Sequence, residues 1–263
     1  MFTEASAIRV VVFTGGPGFD SEVSSFLERL ESDPNIDLAG IFSQSPLLGV
    51  SGVVRDRWNR RGVLAIPLLI QLLCRSVYRE IKSPRVARRR RRMLRELQPR
   101  THYVNNIHAL EVIARVRDLE PRLGLVYGGP IIKPELFEIP SHGTLGIHHG
   151  KVPEYRGKKT TFWAMYNGED EVGVTIQRIG DRLDGGDIVM QAQLPVAKQP
   201  LPRVKKQLEK AGIELYLRAI HAVRDGSVTY TAQPNVAIAL YKDPGAADII
   251  QFWYGYLLRL IRN

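Results

Sequence analysis

Two side chains capable of proton transfer stand near the middle of the chain. His148 ends an apolar stretch and precedes a loop bounded by Pro and Gly, and Asp184 lies in a later loop with paired glycines. An imidazole can donate a proton to an oxyanion or accept one from an amine. A nearby carboxylate favours the charged imidazole and fixes its orientation. The two residues therefore predict a site for acid–base chemistry.

The segments around these residues alternate as in a doubly wound α/β protein. Ile8–Thr14 is a β-branched run typical of a buried parallel strand, residues 20–32 have one apolar helical face, and Ile36–Phe42 predicts a second strand. Thr144–His148 predicts another strand, which places His148 at a carboxyl end, where such sheets bind ligands.

The alternation is interrupted at residues 45–100 and then returns. We predict one α/β domain over 1–240 with a mostly parallel, twisted sheet and helices on both faces. Within it, 45–100 forms a basic helical insert, and 241–263 forms a C-terminal amphipathic helical tail. The periodicity predicts helices over 84–97, 108–119, 162–167, 202–225 and 247–261, and further strands over 123–127, 173–179 and 188–196.

The glycine-rich turn after the first strand matches neither common phosphate-binding motif. Gly15 and Gly16 lack the spacing of the dinucleotide fingerprint, and no Lys-Ser or Lys-Thr follows as in a P-loop. Two interpretations stay open, a tight turn between strand and helix, or a backbone nest that receives an anionic group of the substrate.

A set of short motifs recurs in a fixed order after residue 144. They are Ile147-His148, Val152-Pro153, Tyr155-Arg156-Gly157, Trp163, Asn167-Gly168-Glu169, Gly173-Val174-Thr175-Ile176 and Leu183-Asp184-Gly185-Gly186-Asp187. This pattern resembles the folate-dependent formyltransferase family, and the resemblance covers about 8–44 and 105–240. It implies a Rossmann-like formyltransferase fold, with 10-formyltetrahydrofolate as formyl donor and an amine as acceptor.

The resemblance also implies roles for individual residues. It assigns the chemistry to His148 and Asp184, at a site for which we predict no metal. Residues implied to bind the folate are Tyr127, Gly128, Gly129, Ile131, Gly180, Leu183, Gly185 and Asp187. Residues implied to bind the acceptor are Gly15, Gly16, His149, Lys151, Tyr155 and Arg156. Besides the two glycines of the turn, His149 and Arg156 also have an open alternative. His149 is equally consistent with a solvent-facing residue, and Arg156 with a residue that holds the loop.

One position departs from the family pattern. The family has a catalytic Asn two residues before the His, and this chain has Gly146 there. Losing one oxyanion donor typically slows a reaction about 10²–10³-fold. The departure leaves three alternatives: a slower enzyme, an enzyme in which another group such as His149, a backbone N–H, water or a substrate group fills the gap, or a relative that binds folate without transferring formyl.

The positive charge is concentrated in one segment. The chain has 37 Lys and Arg against 27 Asp and Glu, and residues 54–100 account for more than the whole net charge of +10. Together with the apolar run 63–74, which is too short to span a bilayer, this segment has three interpretations. It is a solvated helix docked on the domain, a peripheral anchor on anionic membrane, or a grip on an acidic acceptor such as tRNA.

The C-terminal segment has an apolar stripe of its own. Ile249, Ile250, Trp253, Leu257, Leu260 and Ile261 share one helical face. Docking on the domain, a homodimer contact and membrane contact are all open.

The acceptor is inferred from chain length. About 23 residues follow position 240, and methionyl-tRNA formyltransferases normally carry a sizeable second domain there, so we expect a small amine, such as an amino sugar on a nucleotide or lipid carrier, and not tRNA. Alternatives are methionyl-tRNA formyltransferase, 10-formyltetrahydrofolate hydrolase and a non-catalytic folate binder.

A single cysteine and an N-terminus without a basic region before an apolar stretch predict a cytoplasmic protein, with membrane association through 54–100 left open.

Overall fold

The structure is a computed structural model that describes residues 6–15, 21–44, 88, 92–93, 95–196, 199–234 and 240–261, with Ser21 and residues 257–261 described by their backbone alone. The predictions for Gly16, for the apolar run 63–74 and for most of the helix over 84–97 lie outside these residues.

The described residues form one seven-stranded sheet. Its strands stand in the order β3-β2-β1-β4-β5-β6-β7; the pairs from β3 to β5 are parallel, and β6 and β7 are antiparallel. The predicted mostly parallel sheet is thereby confirmed. The strands are β1 Ile8–Gly15, β2 Ile36–Gln44, β3 Thr101–Val104, β4 Leu123–Val126, β5 Thr144–His148, β6 Glu171–Arg178 and β7 Ile188–Pro195.

Helices cover both faces of this sheet, as predicted. One hydrophobic cluster joins the sheet to α1 and α5 through Phe26 and Tyr216, and a second joins it to α2 and α3 through Val112 and Leu136. The helices are α1 Ser21–Glu31, α2 Leu110–Asp118, α3 Pro134–Phe137, α4 Thr160–Tyr166, α5 Leu201–Arg224 and α6 Ala246–Ile261.

Strand β1 shows why the sequence folds into a sheet covered on both sides. Val10 and Val12 belong to one cluster and Val11 and Phe13 to the other, and all four side chains are fully buried. Successive side chains of a strand point to opposite faces, so a continuous apolar run requires both faces to be covered.

Strand β3 was missed by the sequence analysis. Thr101–Val104 pairs in parallel with β2 at the edge of the sheet. Its residues are half-buried or exposed, since an edge strand has a neighbour on one side only. Four residues with no continuous apolar run give no periodic pattern that would have predicted it.

The end of the basic segment packs against the domain. Met93 and Leu97 are buried in the larger cluster, while Arg92 pairs with Glu96 on the exposed side. This supports the docked interpretation for residues near 97. The membrane and tRNA interpretations concern residues 54–100, most of which lie outside the described part of the chain, and they stay predictions.

Helix α6 is docked by one aromatic residue and exposes several others. The Phe252 ring is 2% exposed and lies 4.8 Å from the Phe162 ring of α4. Large apolar side chains remain exposed on the same helix, namely Ile249, Ile250, Trp253 and Tyr254. Among the described residues, no helix has the length and apolar character needed to cross a membrane.

Candidate active site

Strand β5 carries the candidate histidine to the edge of a cleft. Alternation along the strand sends Ile147 toward the larger cluster and turns Gly146 and His148 to the opposite face. On that face, a Cβ atom built on Gly146 would lie 2.5 Å from Cδ1 of Ile179. His148 is the last residue of β5 and is 8% exposed, so the strand end fixes its ring in a nearly buried position.

Both ring nitrogens of His148 have partners. Nε2 lies 2.8 Å from the carbonyl oxygen of Tyr155, and because a carbonyl can only accept, Nε2 is the donor. Nδ1 lies 3.4 Å from Oδ1 of Asp184. Nδ1 is therefore the nitrogen at which a proton can be gained or lost beside a carboxylate. The structure brings together the two residues that the sequence pattern had paired.

The contact between His148 and the Tyr155 carbonyl depends on Gly150. A Cβ atom on Gly150 would lie 2.4 Å from the Tyr155 oxygen and 2.5 Å from Nε2 of His148, so only glycine fits. The Tyr155 hydroxyl donates to Glu169 at 2.7 Å. The pKa of Tyr155 rises to about 12, mainly because of burial. Tyr155 therefore acts through its backbone, while its side chain anchors the loop.

A strained turn holds the carboxylate. Asp184 has a φ of 50°, in the left-handed region that few non-glycine residues adopt. Its Oδ2 accepts from the backbone N–H of Gly157 at 2.9 Å, and Arg156 donates to the carbonyl of Leu183 at 2.7 Å. Arg156 thus ties the turn to the loop after β5, which supports the interpretation that it holds the loop.

Two buried glutamines that the sequence analysis did not single out surround Asp184. Gln177 Nε2 lies 3.4 Å from Asp184 Oδ1. Gln233 Nε2 lies within 3.2 Å of three oxygens, Oε1 of Gln177 and the carbonyls of Asp184 and Gly186. Gln233 follows α5 in a segment without helix or strand, and nothing in its sequence surroundings indicates this position.

Two cavities meet beside the His148–Asp184 pair. The first, of about 500 Å³, is lined mainly by residues 128–134 and 177–184 and includes Gly146 and Asp184. We call it the donor cavity. The second, of about 450 Å³, lies between β5, α4, α1 and α5 and includes His148. We call it the acceptor cavity. Gly128 and Ile147 line both cavities, so the two cavities adjoin. Asp184 lines the donor cavity and His148 the acceptor cavity, so the pair has one member in each.

The residues predicted from the family pattern fall into three groups, and their roles remain predictions. Lining the donor cavity are Gly128, Gly129, Ile131, Gly146, Gly180, Leu183 and Asp184, and lining the acceptor cavity are Tyr127, Gly128, His148 and His149. Lining neither are Gly15, Lys151, Tyr155, Arg156, Gly185 and Asp187. In the last group, Lys151 and Tyr155 line a third cavity together with Glu169 and Glu171. It adjoins the acceptor cavity, since His149, Thr160 and Thr161 line both.

The acceptor cavity contains charges of both signs. Lys159 and Lys205 line it together with Glu22 and Glu209. Burial is the main cause that lowers the pKa of Lys205, and the charge of Lys159 adds to the effect. Both lysines therefore face an environment in which an anionic group would relieve their mutual repulsion.

His149 is neutral at pH 7. Burial lowers its pKa to about 4, with smaller contributions from His148 and Lys205. Its Nε2 lies 3.3 Å from Oε1 of Glu22, and with a neutral ring this contact is not an ion pair. His149 thus lines the acceptor cavity with a side chain that is 31% exposed, and its part in binding the acceptor stays a prediction.

This lowered pKa predicts a loss of stability in acid. Below pH 6.5 the unfolded chain binds a proton at His149 that the native chain does not bind until about pH 4, so stability falls as the pH drops through that interval. We expect His149→Gln to remove on the order of 2 kcal/mol of this fall in stability. This is less than the full pKa shift would give, because part of the ring remains solvated. Urea unfolding at pH 7 and at pH 4.5 measures the difference, with His142→Gln as control. Equal pH dependence in wild type and His149→Gln would contradict the prediction.

Together the parallel sheet, the His–Asp pair at a strand end and the two adjoining cavities define an α/β protein suited to acid–base chemistry between two ligands. Comparison with known proteins gives the family. The sequence model described as "Formyl transferase" matches residues 85–220, more than half of the chain. The chain belongs to the formyl transferase family, as its motifs predicted.

Curated relatives agree with this assignment. A methionyl-tRNA formyltransferase from Thermodesulfovibrio yellowstonii is 33% identical over 138 residues, which are 51% of this chain and 45% of the relative. One from Kosmotoga olearia is 27% identical over 227 residues, which are 86% of this chain and 62% of the relative. The chain spans about half the length of the curated relatives that it matches first.

Solved structures show the same fold. A phosphoribosylglycinamide formyltransferase from Anaplasma phagocytophilum superposes with a TM-score of 0.59 at 17% identity, covering 90% of this chain and 100% of that one. A sugar N-formyltransferase from a Shewanella species gives 0.57 at 13% identity, covering 93% and 86%. At these identities the likeness concerns the fold, and the predicted Rossmann-like formyltransferase fold is confirmed.

Proposed function

We propose that this protein transfers the formyl group of 10-formyltetrahydrofolate to a primary amine on a small acceptor. The observation that carries the proposal is the position of the His148–Asp184 pair where two cavities meet. A reaction between two organic molecules needs two binding spaces that share one reacting centre.

The walls of the donor cavity suit a planar, polar ring system. Gly128, Gly129 and Gly180 bring backbone without side chains to the cavity wall, and Ile131 and Leu183 supply exposed apolar surface. Backbone groups that satisfy the ring edges and apolar side chains that cover its faces are the usual composition of such sites. These residues fit the pterin end of the proposed donor.

The acceptor cavity suits an amine that also carries hydroxyl and anionic groups. Lys159 and Lys205 supply positive charge, and Glu22 and Glu209 supply hydrogen-bond acceptors. An amino sugar on a nucleotide or lipid carrier combines an amine, hydroxyls and phosphates. We propose this class as acceptor, which rests on charge and on the size of the cavity.

The chemistry follows from the proton positions at His148. The amine nitrogen forms a bond with the formyl carbon while the carbonyl π electrons move to oxygen. Nδ1 of His148, beside Asp184, takes the proton that the amine loses, and the imidazolium is stabilised by the carboxylate. When the C–N bond to the folate breaks, the same proton passes to the leaving nitrogen. His148 thus ends as it began.

Three other functions remain as alternatives. Hydrolysis of the donor would use the same pair with water in place of the amine, but it would need no second cavity of about 450 Å³. Methionyl-tRNA as acceptor is favoured by the names of the curated relatives. A non-catalytic folate binder is suggested by Gly146 alone, and the close His148–Asp184 contact weighs against it.

The test supplies 10-formyltetrahydrofolate with one amine class at a time and follows both tetrahydrofolate release and formylated product. We expect release to depend on a nucleotide-linked amino sugar, with at least a tenfold excess over the rate without amine. Release without amine would identify a hydrolase, and product with methionyl-tRNA alone would reassign the acceptor. No release with any amine, together with folate binding, would overturn the transfer function.

The location of the protein and its assembly are also proposals. We propose a cytoplasmic protein that contacts anionic membranes peripherally through residues 54–100. The exposed face of α6, with Ile250 and Tyr254, supports either that contact or a homodimer. Flotation with phosphatidylglycerol-containing vesicles and sedimentation without lipid distinguish the two.

A further inference from the structure

Gly146 leaves the reacting centre without the carboxamide that the family carries at this position. A tetrahedral intermediate needs a hydrogen-bond donor at its oxygen. At the pair itself, Nε2 of His148 is engaged by the Tyr155 carbonyl and the N–H of Gly157 by Asp184. Neither N–H is directed to an incoming carbonyl oxygen.

The residue opposite Gly146 supplies such a donor. In the antiparallel pairing of β5 with β6, Gly146 stands directly across from Gln177, so both face the same side of the sheet. The space over Gly146 is taken by Ile179, whose Cδ1 would lie 2.5 Å from a Cβ atom at this position, and the Gln177 carboxamide lines the cavity wall beside it. Gln177 is 4% exposed and lines the donor cavity next to Gly146 and Asp184.

Its orientation is set by Gln233. Oε1 of Gln177 and the carbonyls of Asp184 and Gly186 lie 3.2, 3.1 and 2.6 Å from Gln233 Nε2, whose two hydrogens are shared among these three acceptors. The nitrogen of the Gln177 amide is therefore turned toward Asp184, where its bond of 3.4 Å is at the weak end of the hydrogen-bond range. A weak bond of this kind can be exchanged for a bond to a substrate oxygen at little cost.

We propose that Nε2–H of Gln177 donates a hydrogen bond to the formyl oxygen as it becomes an oxyanion, and so replaces the carboxamide absent at position 146. This inference rests on the proposed transfer function. The donor keeps its proton throughout, since its role is to stabilise charge and not to transfer a proton. Gln233 is the positioning residue for this donor.

The test compares two substitutions that remove the N–H in different ways. Gln177→Leu removes the whole amide, and Gln177→Met keeps the length of the side chain without an N–H and without adding a charge beside Asp184. We expect both to lower kcat about 10²–10³-fold with KM for the donor changed less than threefold, because the bond forms mainly in the transition state. Gln207→Leu, a substitution at an exposed position of α5 that lines neither cavity, is expected to keep wild-type rates.

A rescue experiment separates this role from a merely structural one. Asn at position 146 needs room, because Cδ1 of Ile179 stands 2.5 Å from the new Cβ, so Ile179→Val accompanies Gly146→Asn. In the Gln177→Leu background this pair of changes is expected to restore kcat at least tenfold. Thermal unfolding of each variant verifies folding, and where Gln177→Leu does not fold, Gln177→Met decides.

The outcomes are distinct. Wild-type kcat in both Gln177 variants, or a loss confined to KM, would overturn the Gln177 proposal while leaving the transfer function in place. A wild-type protein that releases no tetrahydrofolate with any amine overturns both. Loss of kcat with rescue by Asn at 146 supports both.

Discussion

Asp184→Asn is expected to lower kcat for formyl transfer by about 10³–10⁴-fold while leaving the fold intact. The neutral amide cannot stabilise an imidazolium at Nδ1 of His148, which now lies 3.4 Å from a carboxylate oxygen. The turn itself tolerates the change. Asn adopts the left-handed backbone region more readily than most residues and can still accept from the N–H of Gly157, so the φ of 50° and the bond of 2.9 Å persist.

Steady-state kinetics with saturating donor and amine measure the loss. Asp225→Asn is the matched control, because Asp225 follows α5 and forms an exposed ion pair with Arg224. A rate in Asp184→Asn within tenfold of wild type, in a protein with unchanged thermal unfolding, would show that the carboxylate has no part in the chemistry.

Most of the parallel part of the sheet could be predicted because β1, β2, β4 and β5 are mainly buried on both faces. Residues with that constraint, such as Val10 to Phe13, must be apolar without interruption, and the pattern is visible in the sequence. The edge strand β3 has no such constraint and gave no signal. Helix ends shifted by one or two residues at positions such as Leu201 and Ala246, where capping and not periodicity decides the boundary.

The His148–Asp184 contact could be predicted because both residues belong to short motifs that sit at the ends of recognisable elements. The role of Gln177 could not be predicted, since it depends on the pairing register of β6 against β5. A shift of that register by one residue would turn the Gln177 side chain to the opposite face of the sheet. Gln233 could not be predicted either, because it lies in a segment with no periodicity.

Side-chain direction also explains why some predicted residues lie away from the cavities. Tyr155 contributes its carbonyl to the site and points its hydroxyl at Glu169. Arg156 binds the backbone of the turn that carries Asp184. A motif therefore records residues that shape a site along with those that face the ligand, and sequence alone does not separate the two.

His148→Gln is expected to lower kcat as far as Asp184→Asn does, and combining the two is expected to cost little more. Gln at 148 can still donate to the Tyr155 carbonyl, now 2.8 Å from Nε2, but it cannot take a proton from the amine. Since Asp184 acts only through a charged His148, removing the histidine already removes the contribution of the carboxylate, and the effects of residues that act as a unit do not multiply. The double variant should thus be within about threefold of the slower single variant, with His142→Gln as control. Losses that multiply would mean that Asp184 acts on the substrate independently of His148, and the proton path through Nδ1 would then have to be replaced by one that starts at the carboxylate.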